Sequence, residues 1–192
     1  MNLTLFTVSA FIILDSEGHR VLAKYYQPKA ADALSTLGAK AACGPLTTLK
    51  EQKAFEKGLW SKTKKAGGDI ILFQDHLALY RHSLDLIIYF IASPMENELM
   101  LSNALSSFVD SLSLLLRGQL EKRGVLENLD LVLLCLDETI DDGIIMDTDV
   151  GAVSSRVSRP RPDTTEIVIN EQTIMNAYQT VKERVQQRMV GL

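Results

Sequence analysis

Residues 69–94 read DIILFQDHLALYRHSLDLIIYFIASP, and the fold turns on them. Three apolar runs, DIILFQ, LALYRH and LDLIIYFIAS, are rich in Ile, Leu, Phe and Tyr and are parted only by QDH and HS; Pro94 stops the third. Such residues favour strand. The gaps are too short for a crossover, so the three strands form an antiparallel meander. The longest run, LIIYFIA, falls far below the about 20 residues that cross a bilayer.

Upstream, LTLFTVSAFIIL (3–14) and VLAKYY (21–26) flank the turn DSEGHR, where Gly18 can take a positive φ. These make an antiparallel hairpin. Both strands are apolar without clean alternation, which predicts a sheet covered on both faces. The opening MNLTLFTVSAFIIL lacks the basic start of a secretory signal, and its apolar stretch ahead of VSA is short, so it reads as strand. An alanine-rich connection occupies 27–46. TLKEQKAFEKGLWSKTKK then reads as a helix, with Thr48 and Glu51 at capping-box spacing and Gln52, Phe55 and Leu59 on one face. Gly67 and Gly68 end this region.

Downstream, ENELMLSNALSSFVDSLSLLLRG is a helix whose face carries Leu101, Leu105, Phe108, Leu112, Leu115 and Leu116, with Gly118 and Gly124 flanking its exit. ENLDLVLLCLDETID is a further helix with Leu126, Leu129, Val132, Leu133 and Leu136 on its stripe. Residues 151–169 read as a polar linker with two Arg-Pro pairs. Residues 170–192 read as an amphipathic helix through Ile174, Tyr178, Val181, Val185 and Met189. The expected organisation is a domain over 1–150, a linker over 151–169 and a C-terminal helix over 170–192. The class is α+β, with a mainly antiparallel sheet between helices.

The chain has 192 residues, 46% hydrophobic and 23% charged, which is enough for one core without staples. A net charge of −4 excludes binding of polyanions by the molecule as a whole. Cys43 and Cys135 match no metal spacing and read as free thiols of a reducing compartment.

LDETIDDGIIMDTD, residues 136–149, gathers six acids around Gly143. As a calcium loop with Gly143 at position 6 it fails, because Ile140 falls on a ligand position and Asp149 replaces the closing Glu. It reads as a helix end running into a glycine turn and a short segment. His19, His76 and His82 make no metal set. The serines sit in no nucleophile elbow, and no phosphate loop exists. No catalytic, metal or cofactor-binding residues are expected. The one basic region is Lys50, Lys53, Lys57, Lys62, Lys64 and Lys65, the first three on one helix face. It is a solvated face or a contact for an acidic protein surface or anionic lipid. Nucleic acid is not expected, since aromatic interleaving is missing.

LTLFTVSAFIILDSEGHRVLAKYY, KEQKAFEKGLWSKT, YRHSLDLIIYFIASPMENELMLSNALSSFVDSL and ENLDLVLLCLDETIDDGIIMDTD together resemble the coatomer zeta family of the COPI coat, over roughly residues 1–155. More distantly they resemble the sigma chains of clathrin adaptors. The resemblance implies a longin-like fold, with a five-stranded antiparallel sheet between helices, here with an added C-terminal helix. It also implies a non-enzymatic coat subunit for Golgi-to-ER and intra-Golgi transport. The implied partners are the large coatomer gamma subunit, directly, and the rest of coatomer. An Arf GTPase and Golgi membrane would be indirect partners, and the location would be cytoplasmic on the cytosolic face of Golgi membranes and vesicles. In sigma chains the start of the helix after the last strand helps form a cargo pocket. Met95, Asn97 and Leu99 are the matching partner or cargo candidates here. Ile174, Tyr178, Val181 and Val185 are candidates for a docking helix. The alternative is another longin-type trafficking module, sigma-like, regulatory or tethering, which binds its own C-terminal helix or a different partner.

Overall fold

The computed structural model describes residues 7–26, 46, 48–65 and 69–158. The start of the first predicted strand, the 27–45 connection, Gly67, Gly68 and everything from Arg159 lie outside the described residues. The expected docking helix with Ile174, Tyr178, Val181 and Val185 is therefore outside them too.

Five strands form one antiparallel sheet in the order β2-β1-β5-β4-β3. They are β1 (Val8–Asp15), β2 (Arg20–Tyr25), β3 (Ile70–Phe73), β4 (His76–Ser83) and β5 (Leu86–Ala92). The meander is β3-β4-β5, and the N-terminal hairpin joins it through β1 against β5. Every residue of the central β5 is buried. Side-chain parity splits the core in two. Phe11, Ile13, Leu77, Leu79, Ile88 and Phe90 face one way; Ile12, Leu14, Ala78, Tyr80, Tyr89 and Ile91 face the other. The missing alternation in the sequence has this cause, because each face has its own cover.

Helix α1 (Leu49–Thr63) covers the second face through Phe55 and Leu59. Helices α2 (Glu98–Leu115), α3 (Lys122–Glu127), α4 (Leu129–Thr139) and α5 (Val150–Val157) belong to the first. A small hairpin, β6 (Ile140–Asp141) and β7 (Ile144–Ile145), lies between α4 and α5.

Three expectations need correction. The polar linker does not begin at 151. The side chain of Asp149 accepts the N–H of Ala152 and starts α5, whose Val153 and Val157 are buried in the core formed with α2 and α4. Val153 and Val157, four residues apart, are the only buried residues of the octapeptide VGAVSSRV, too short a stripe to stand out in the sequence. The compact unit accordingly runs to Ser158 rather than 150. The second correction concerns the stripe from Leu126 to Leu136. The chain breaks at Asn128, whose side chain donates to the Gly124 carbonyl at 3.0 Å. The break resets the helical phase, so Leu126 is exposed and Val132, Cys135, Leu136 and Thr139 are the buried residues of α4. His76, read as a turn residue, instead opens β4 and is buried; Gln74 and Asp75 make the turn with φ of 49° and 60°.

Candidate functional site

The lysine helix is anchored from beneath. Thr48 and Glu51 form the expected capping box, with contacts of 3.3 and 3.2 Å. On the inward side Glu56 is buried. Its two oxygens accept from the Arg20 guanidinium at 2.9 and 2.6 Å, and the Tyr25 hydroxyl donates to it at 2.7 Å. The two-pronged contact to Glu56 holds the Arg20 pKa above its ordinary value. Burial, then the Glu56 carboxylate, pushes the Tyr25 phenol far above its usual range. Two turns further, Thr63 and Tyr89 share a hydrogen bond of 2.7 Å. With its inner face fixed to β2 and β5, α1 turns Lys50, Lys53 and Lys57 to solvent.

At the start of α2 the structure brings Met95, Asn97 and Leu99 together. Asn97 is the cap, its side-chain oxygen accepting from the N–H of Leu99 at 3.0 Å and of Met100 at 3.3 Å. Met95 and Leu99 stand on either side, 74% and 81% exposed, far more than apolar side chains this large normally are.

The acidic stretch of 136–149 resolves into separate structural tasks. Asp137 pairs with Lys24, and Arg156 bridges Glu138 at 2.6 Å and Asp147 at 2.8 Å. The Arg156 contact holds the Asp147 carboxyl below its ordinary pKa. Asp149 caps α5. Gly143 takes φ of 88° in the tight turn, and its carbonyl accepts from the N–H groups of Thr7 and Val8 at 3.0 and 2.9 Å. A Cβ there would sit 2.6 Å from the Val8 carbonyl oxygen, so both conformation and space require glycine. Asp137, Glu138, Asp147 and Asp149 are thus shared between ion pairs and a cap, with the Gly143 turn latching the stretch to β1.

The β1–β2 turn places Asp15, Glu17 and His19 close together, an arrangement that no sequence spacing marked. Buried Asp15 accepts from the N–H of Glu17 at 3.0 Å and of His19 at 2.7 Å, and from the Lys122 ammonium at 2.9 Å. The lysine already occupies the oxygen a cation would need, so the cluster locks a turn. Burial alone would raise the Asp15 pKa; Lys122 and the two N–H groups outweigh it and hold it at about 2. A carboxyl depressed in the folded state stabilises above its unfolded pKa of about 4 and loses that contribution as pH falls through the folded value. Replacing Asp15 by Asn is expected to cost about 1–3 kcal/mol at neutral pH. That difference should shrink from pH 4 downward and vanish near pH 2, as read by urea unfolding across pH; a gap constant with pH would refute it.

Apolar exposure extends beyond the residues the sequence singled out. On edge strand β3, Ile71 and Phe73 turn inward while Ile70 and Leu72 are 47% and 63% exposed. Leu84, at φ of 39° in the β4–β5 turn, is 83% exposed. All four β3 residues are apolar, so the sequence offered no sign of which two face outward.

The clathrin adaptor complex small chain family model matches residues 7–162. The chain belongs to that family of small coat and adaptor chains. It is 39% identical over 191 residues to coatomer subunit zeta of Saccharomyces cerevisiae, covering 98% of this chain and 97% of the relative. It is 37% identical over 182 residues to coatomer subunit zeta-1 of Homo sapiens, covering 95% and 92%. Within the family it therefore stands on the coatomer zeta branch. Its fold is similar to a chain in a homology model of the full-length AP-3 complex in a stretched open conformation. That similarity has a TM-score of 0.57 at 15% identity and covers 92% of this chain and 98% of the other. Among the described residues no helix is long and apolar enough to cross a membrane.

Proposed function

We propose that this chain is a non-enzymatic structural subunit of a COPI vesicle coat, pairing with the large gamma subunit in an adaptor-like subcomplex. Retrograde Golgi-to-ER and intra-Golgi transport would be its setting. Its location would be the cytosolic face of Golgi membranes and vesicles, reached indirectly through an Arf GTPase. The likeness to zeta subunits over almost the whole of both chains carries this reading.

The surface fits a chain that is covered in use. Among the described residues β3 is an edge strand with no partner beyond β4, and its Ile70 and Leu72 face outward, a combination that soluble monomers normally protect. Met95 and Leu99 add a second apolar site at the α2 start, which we assign to partner or cargo contact. Four of the six acids, Asp137, Glu138, Asp147 and Asp149, are committed to ion pairs or a cap, and Cys135 is buried with its thiol pushed up to about 12 by desolvation, a state unsuited to nucleophilic work.

Co-expression of the full chain with the gamma subunit tests this. A stoichiometric complex that survives gel filtration is the expected outcome, with Leu72→Asp weakening it at least tenfold. A chain that elutes alone beside gamma would end the reading.

A further inference from the structure

We propose that the outward face of α1 makes direct contact with an anionic membrane surface. Coat membership is not needed for this, since the chain would carry the same face outside any coat.

Charge is segregated across the sheet. Residues 48–65, the α1 layer, hold six lysines against two glutamates. Both glutamates are engaged, Glu51 in the cap and Glu56 beneath the helix with Arg20 and Tyr25. Residues 98–158, the opposite layer, hold eleven acids against four bases. Among the described residues the charge is thus polarised across the sheet, with α1 on the positive side. Near a negative surface this distribution turns the lysine face inward and the acidic layer away.

The kind of cation selects the occupant. Lys50, Lys53 and Lys57 lie on one exposed stripe, with Lys64 and Lys65 exposed at its C-terminal end; no arginine stands among them. Arginine's planar fork suits carboxylates fixed in a protein partner, whereas lysine is a point charge on a flexible stem. Point charges spread along a helix of 15 residues, about 22 Å, match mobile headgroups of no fixed geometry. Lys64 also lies over the Trp60 ring at 4.3 Å, and Trp60 itself packs under Gly18, so the aromatic ring beside the lysine stripe is not free to stack on a nucleic-acid base. The anchoring beneath matters as well. Glu56, Thr63, Phe55 and Leu59 hold the helix in place, so the stripe is presented already formed.

The full-length chain is incubated with vesicles of phosphatidylcholine containing about 30% phosphatidylserine, and with pure phosphatidylcholine vesicles, then sedimented. Binding to the anionic vesicles only is expected, falling steeply as salt rises from about 0.05 to 0.5 M. At about fivefold per lysine, Lys50→Glu, Lys53→Glu and Lys57→Glu together should weaken binding by about 100-fold or more. The corresponding Gln variant should lie between the two. These side chains are outside the core, so an unchanged melting curve should accompany each variant; where the Glu variant fails to fold, the Gln variant decides. Equal binding to neutral vesicles, no binding at all, or triple variants that bind as the native chain does would each overturn the proposal. The last would place the contact elsewhere in the chain. Variants that bind vesicles normally but lose a protein partner would reassign the face to that partner, against the proposal.

Discussion

Replacing Phe108 by Ala should lower the unfolding free energy of this chain by about 3–5 kcal/mol. Phe108 lies in the middle of α2 and is fully buried. Its ring meets Phe11 edge-on at 5.1 Å between centroids and Phe90 at 6.2 Å. These partners come from β1 and β5, so a single side chain joins α2 to the two strands at the heart of the sheet. Truncation removes the transfer energy of the ring and leaves a cavity walled by rigid strands, which collapse poorly around it. The edge-to-face pair with Phe11 adds a further increment of about 0.5–1.5 kcal/mol beyond simple burial. Urea unfolding measures the change, with Leu114→Ala on the exposed side of the same helix as the comparison; that substitution should cost under about 1 kcal/mol. Near-equal costs for the two would show that the α2 face is wrongly assigned.

The second large effect is expected at Glu56. Glu56→Ala should cost about 2–4 kcal/mol, placed below the range for a wholly buried pair because the Arg20 side chain is 24% exposed. The loss arises mainly from what is left behind, a guanidinium with no carboxylate and a Tyr25 hydroxyl with no acceptor. Glu56→Gln keeps one acceptor and should cost about half as much. Joint replacement, Arg20→Leu with Glu56→Met, removes both charges and should recover much of the loss, because an apolar pair needs no desolvation. A double variant as unstable as Glu56→Ala would show that packing around the pair, and not charge, holds α1 in place.

The sheet could be read from the sequence because its punctuation is local. Pro94, the HS break and the DSEGHR turn each mark a strand end by their own chemistry, and the Thr48–Glu51 box marks a helix start. Tight turns then fixed the antiparallel pairing. What escaped was decided by tertiary contact. α5 exists because Val153 and Val157 find a groove against α2 and α4, and eight residues of which only two are buried show no such groove in isolation. At the α3–α4 break Asn128 leaves the helical conformation and both its backbone and side-chain N–H groups donate to the Gly124 carbonyl, which no periodicity reports. The candidate surfaces divide in the same way. The lysine stripe follows from helical spacing alone. The exposure of Ile70, Leu72 and Leu84 depends on which neighbours the sheet lacks.

The order of the strands bears on how the chain is made. β1 has no central partner until residues 86–92 leave the ribosome, and its first amides wait for Gly143, more than 130 positions later. Nascent zeta-like chains of this kind must therefore hold β1 with only β2 beside it, its other edge unpaired, until nearly half of the 192 residues have been made. Demand for chaperones should peak before the segment around residue 90 emerges and fall sharply once it has.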